Sequence, residues 1–254
     1  MDYESNERGN LRFTLFGIPT SIQPSAWIAL VVLGALFSGT RVEISVVLIF
    51  VAAGMLCLLM HEYGHALAAR AAGIRDISIY IYAAGGVTMV YPRPHQPRQL
   101  ALFYLAGPAG SLLMGVLAGV VMGVHIGQIG AGVKFCLYEP FHALVATSSS
   151  QPQEWQIPIY VALLSGKLSA IALQVYYIMA GVSMWWTAFN LLPIYPLDGG
   201  QMLMLDMRNR RHAHSVCLGV AGILLLWSVA SLHFYTAFIC AALFYDNWQH
   251  LKKS

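Results

Sequence analysis

Apolar positions in this chain fall in long unbroken blocks, and only one stretch shows a short period. The blocks cover residues 25–40, 44–71, 100–124 and 168–192, with two shorter ones at 215–230 and 232–245. A helix crossing the hydrocarbon layer needs about 20 mostly apolar residues. The pattern therefore predicts an all-α polytopic membrane protein with about six transmembrane helices, organised as a single domain over residues 1–254. The last two blocks are short enough to form one re-entrant hairpin instead. Between the second and third blocks, residues 74–90 read IRDISIYIYAAGGVTMV. Ile77, Ile79 and Ile81 alternate with Ser78, Tyr80 and Tyr82 until Gly85-Gly86 interrupts, which is the period of a strand. Backbone beside a bilayer must be satisfied by protein or water, so a small interfacial β-strand or hairpin is expected there.

Composition agrees with this picture and removes alternatives. Hydrophobic residues make up 58% of the 254 and charged residues 10%, against about 25% charged in an ordinary globular chain. A net charge of +3 without a basic tract disfavours a nucleic-acid partner. The four cysteines (Cys57, Cys136, Cys217, Cys240) are far apart and suggest no disulfide framework. No cleavable signal peptide is read in the first 24 residues.

Lys and Arg then orient the spans. With a cytoplasmic N-terminus, Arg41, Lys134 and Lys167 fall outside and the other eleven of the 14 fall inside. Both termini are thus expected in the cytoplasm. Gly107, Ser111, Gly115, Gly119, Gly123 and Gly127 place a small residue at every fourth position of the third block. That is a surface for close helix packing. Residues 127–166, with a Ser-rich and Pro-flanked middle, are expected to lie along the outer face.

Ionisable groups inside spans point to function. Of the 11 acidic residues, only Glu62 and Asp198 fall within or at the membrane end of a long block. Glu62 belongs to His61-Glu62-Tyr63-Gly64-His65. Histidines at i and i+4 share a helix face and can grip one metal ion. Glu62 is offset by about 100°, near enough for acid/base work on water without being a ligand. By helical rise, His61 lies about 13 Å in from Arg70, below the cytoplasmic surface. Asp198 ends NLLPIYPLDGG, where Pro193 and Pro196 break the helix and Gly199-Gly200 permit a sharp turn. It is read as an oxygen ligand on irregular backbone lining a cavity. Two imidazoles, one carboxylate and an open position make a catalytic zinc site. The second and fourth blocks both run from outside to inside, so both motifs approach the cytoplasmic side.

HEYGHALAAR followed by NLLPIYPLDGG resembles the site-2 protease family of intramembrane zinc metalloproteases. AAGGV, LAGPAGS and the FGIP…PS lead-in extend the likeness over about residues 16–200. The resemblance implies a zinc endopeptidase that cuts membrane-anchored proteins within or beside their spans, often to release a regulator. It implies His61, His65 and Asp198 as zinc ligands, one Zn2+ per chain, and Glu62 as catalytic acid/base. It implies that Asn190 holds substrate or the developing oxyanion. The strand ending at Gly86, with Gly85, would offer an edge to an unwound substrate. Ser111 departs from the Asn common in the family. A compact form is expected, without PDZ or cystathionine-synthase-type domains, in a prokaryotic plasma membrane with its site towards the cytoplasm.

Three other readings compete. A metal-ion transporter needs a polar route across the bilayer, yet the outer halves of the second and fourth blocks carry no charge. A zincin with a cytosolic catalytic domain would take a later Glu, and Glu139 and Glu154 fall on the opposite side. A non-catalytic scaffold would be expected to have lost one of the four motif residues. Cys57, one turn before His61, is read as core packing. His95, His125, His142, His212, His214, His233 and His250 show no ligand spacing, and Tyr176-Tyr177 with Trp185-Trp186 is read as span packing or an interface belt.

Overall fold

A computed structural model describes residues 9–94, 96–145, 153–206, 210–230 and 234–253. Its elements run β1 (Leu11–Leu15), β2 (Ile18–Ile22), α1 (Pro24–Ser38), α2 (Ile44–Ala71), β3 (Asp76–Tyr82), β4 (Gly85–Tyr91) and α3 (Pro97–Ile126). They continue with α4 (Ile129–Val145), α5 (Ile157–Leu164), α6 (Ala170–Asn190), α7 (Asp198–Asp206), α8 (Arg210–Ala230) and α9 (Phe234–Lys253). Among the described residues, α2, α3 and α8 are long and apolar enough to cross a membrane.

Local chemistry sets many of these ends. Proline opens α1 and α3, where a missing N–H costs nothing. Gly127, at φ 82°, closes α3 in the left-handed conformation. Ser169 caps α6 by accepting from the Ala172 N–H at 3.1 Å. The helix stops at Asn190, three residues before Pro193.

One sequence expectation is corrected here. The β element is wider than a hairpin after α2: β1 and β2 join it in one four-stranded sheet of order β1-β2-β3-β4. β2 runs parallel to β3, with Thr20 opposite Ile79, while β3–β4 is antiparallel with Ile79 opposite Thr88. The alternation was legible in β3 because Ile77, Ile79 and Ile81 all point into the core. β1 and β2 are short and interrupted by Gly17 and Pro19, so no period emerges. Residues 127–166 supply two helices, α4 and α5, and α4 packs along α3. The Ser-rich middle at 146–152 and the link between the last two blocks at 231–233 lie outside the described residues.

The sheet is fastened to α2 at the motif itself. Tyr63 OH and Thr20 Oγ1 are 2.6 Å apart in a buried contact. Ile18, Ile22, Ile77, Ile79 and Ile81 pack with Leu58, Tyr63, Ala66 and Ala69 of α2. On its other side α2 is crossed closely by α3. A Cβ at Gly64 would strike the Ala106 carbonyl oxygen, and one at Gly110 would strike that of Met60. Only glycine allows backbones this near.

Candidate active site

His61 and His65 lie one turn apart on α2, both buried, and Asp198 is brought to them by α7. His61 Nε2 is 3.2 Å from His65 Nε2 and 3.2 Å from Asp198 Oδ2, and His65 Nε2 is 3.4 Å from Asp198 Oδ1. Ligands about 2.0–2.1 Å from a tetrahedral zinc sit about 3.3 Å from one another. The three distances, two of them ending on different Asp198 oxygens, lie near that figure. His65 Nδ1 lies 2.7 Å from the Phe103 carbonyl oxygen. A carbonyl only accepts, so Nδ1 carries the proton and Nε2 is left with a lone pair directed at the cluster. Asp198 Oδ2 is buried with no hydrogen-bond partner. The lone pair of His65 Nε2, with His61 Nε2 and an Asp198 oxygen without a hydrogen-bond partner beside it, fits a cation.

The local backbone explains how Asp198 arrives. It is the first residue of α7, not part of irregular backbone as the prolines suggested. Gly199 and Gly200 are needed for closeness: a Cβ on either would strike the backbone of Leu191 or Ile194. They let the first turn of α7 fold flat against the end of the preceding segment. Asn247 on α9 supports that segment, donating to the Tyr195 carbonyl at 2.6 Å.

Glu62 is 4% exposed. It lines a cavity of about 420 Å³ together with His61, His65, Asn190, Asp198, Gly85 and Gly86. Thr88 Oγ1 donates to Glu62 Oε2 at 2.7 Å. A Cβ on Gly86 would lie 2.5 Å from Glu62 Oε1, so glycine makes room for the carboxylate. Gly85 has φ +131° and faces Trp186. Both glycines open β4, which is an edge of the sheet; the strand begins at them, where the sequence suggested it ended. Asn190 is buried against the cavity, its amide donating to the Trp186 carbonyl at 2.9 Å.

The chain belongs to peptidase family M50. The family's sequence model matches residues 49–232, which include both motifs. By sequence the chain is 28% identical over 163 residues to a protein named as zinc metalloprotease Rip3 of Mycobacterium tuberculosis, covering 64% of this chain and 32% of that one. It is 26% identical over 205 residues to one named as zinc metalloprotease sll0528 of Synechocystis, covering 75% and 42%. The chain thus spans about a third to two-fifths of the length of these relatives. Its fold is similar to that of the site-2 protease from Methanocaldococcus jannaschii, with a TM-score of 0.55 at 17% identity over 95% of both chains.

Within this M50 chain the other candidates stay apart from the cluster. Cys57 Sγ turns to the Val182 carbonyl at 3.9 Å. Glu139 accepts from Gln156 at 2.9 Å, far along the chain from the histidine pair. His214 and His250 stack at 5.2 Å near Tyr195, and His95 and His233 lie outside the described residues. Sequence reasoning missed three contributors: Thr88, the Phe103 carbonyl and Gly107. A Cβ on Gly107 would strike His65 Nε2 and lie 2.8 Å from His61 Nε2. Its place in the small-residue stripe was legible; what it faces was not.

Proposed function

We propose that the chain, acting as one transmembrane protease domain, is an intramembrane zinc endopeptidase. It hydrolyses peptide bonds within or next to the transmembrane segments of membrane-anchored proteins, as in regulated intramembrane proteolysis. The observation that carries this reading is the triangle of donors on His61, His65 and Asp198, with Glu62 lining the same cavity. Zinc held by these three residues supplies Lewis acidity, polarising a carbonyl and acidifying water. Glu62 accepts the proton of the attacking water and delivers it to the leaving amine. Asn190 steadies the substrate or the oxyanion with an amide N–H. A substrate helix hides its carbonyls in its own bonds, so a short stretch must unwind; pairing with the edge of β4 at Gly85 and Gly86 holds it.

The distribution of Lys and Arg supports cytoplasmic termini and a site opening towards the cytoplasm, the long apolar blocks support about six spans, and relatives in Mycobacterium tuberculosis and Synechocystis support a prokaryotic plasma membrane. The transporter alternative is disfavoured by the uncharged outer halves of α2 and α6.

The test is zinc per chain and cleavage of a transmembrane peptide by detergent-purified protein. Glu62→Gln should keep about one zinc and lose at least about a hundredfold in turnover. Asp198→Ala should lose zinc. Cleavage surviving in Glu62→Gln removes its assigned role, and full zinc in Asp198→Ala breaks the link between the two motifs.

A further inference from the structure

We infer that Thr88 is the positioning residue for Glu62, so that β4 aims the acid/base from the same strand that offers its edge to the substrate; this rests on the reading of Glu62 above. The last torsion of a glutamate side chain is broad, so a carboxylate that must face one water needs something to fix it. Thr88 Oγ1 lies 2.7 Å from Glu62 Oε2 and 3.0 Å from the Glu62 carbonyl oxygen. The hydroxyl has a single proton, and it donates that proton to the nearer acceptor, the carboxylate oxygen. Hydrogen bonds to a carboxylate are short and strong, and that length is typical of one.

Gly86, two residues earlier and on the same face of β4, completes the cradle. Its bare Cα leaves the space in which Oε1 lies, where a Cβ would come within 2.5 Å. One oxygen is held and the other is confined. The strand cannot drift, because Thr88 stands opposite Ile79 of β3, which is fully buried. The other long side of β4 is a sheet edge. A segment added there would run alongside the Gly86–Thr88 backbone, so substrate alignment and carboxylate aim share one reference. A threonine serving only to satisfy a buried hydroxyl would affect stability and leave turnover alone.

The experiment compares Thr88→Val, Thr88→Ser and Glu62→Gln in the full zinc-loaded chain. It measures kcat and KM on a transmembrane peptide, zinc per chain, and Kd for a peptide hydroxamate and for the matching peptide amide. Thr88→Val should lower kcat by about ten- to a hundredfold, the range for a misplaced catalytic group, with KM and zinc unchanged. Hydroxamate binding, which needs a correctly placed carboxylate to take its proton, should weaken while amide binding holds. Thr88→Ser should restore both. Wild-type kcat in Thr88→Val, loss of its zinc, or failure of Thr88→Ser to rescue would overturn the inference. Should Thr88→Val match wild type while Glu62→Gln is inactive, only the positioning role falls. Should Glu62→Gln still cleave, the assignment of Glu62 falls and takes this role with it.

Discussion

The two ends of α3 carry the same pattern of small residues and use it differently. At the end near His61 and His65, Gly107 and Gly110 face α2, and what lies opposite Gly107 is a pair of imidazole nitrogens. At the far end, Gly119 and Gly123 face α4, and a Cβ on Gly119 would lie 2.7 Å from Val133 Cα. Between them Ser111 Oγ meets Thr187 Oγ1 of α6 at 2.9 Å. A spacing of four thus fixes that a helix is approached closely, and the neighbour decides whether the clearance serves packing or chemistry.

Gly107→Ala breaks the comparison at its strongest point. The added methyl should displace both imidazoles, taking zinc per chain close to zero. Losing several kcal/mol of Lewis-acid stabilisation corresponds to a rate loss of roughly a thousandfold or more. Metal analysis beside a peptide-cleavage assay checks it, and bound zinc at the wild-type level would show that the clearance is dispensable.

Gly123→Ala probes the other end, where a Cβ would strike Ile129 of α4. Overpacking of this kind costs about 1–3 kcal/mol. Thermal melting in detergent should fall, while the zinc content of the folded fraction stays unchanged. A stable variant that has lost zinc would mean the two ends are coupled.

Ser111→Ala, in the middle, should have the smallest effect. It removes the buried contacts of the Ser111 hydroxyl with Thr187 Oγ1 and the Pro108 carbonyl oxygen, each hydrogen bond worth about 1 kcal/mol, and leaves zinc and KM in place. A specific fall in turnover would move Ser111 from the packing group to the site.

What could be read ahead of the structure follows from the range of each interaction. The pairing of His61 with His65 is set by helical periodicity, so it was legible, as was α2 at residues 44–71. Asp198 was found because two prolines and two glycines around one carboxylate have few other uses in an apolar block. The roles of those glycines were not, since their need arises from backbone seated opposite, which no local pattern records. Thr88 gave no signal at all: a threonine in a strand is ordinary until the fold places it under Glu62. The strands β1 and β2 were hidden by their length and by Pro19, and α4 by the low-complexity segment that follows it.

The parallel pairing of β2 with β3 has a consequence for the order in which the protein is made. β2 leaves the ribosome before α1, and β3 only after α2, yet Thr20 and Ile79 finish side by side. The helical pair must therefore turn back on itself and deliver its end beside its beginning before the sheet can close. Until then β4 has no β3 to lie against, and Thr88 has no fixed place beneath Glu62. An unfinished chain already bears the His61–His65 motif but lacks the β3–β4 pairing that places Thr88 beside Glu62. Asp198, 133 residues beyond His65, arrives later still. The full cluster of His61, His65 and Asp198 thus exists only once α7 has been made.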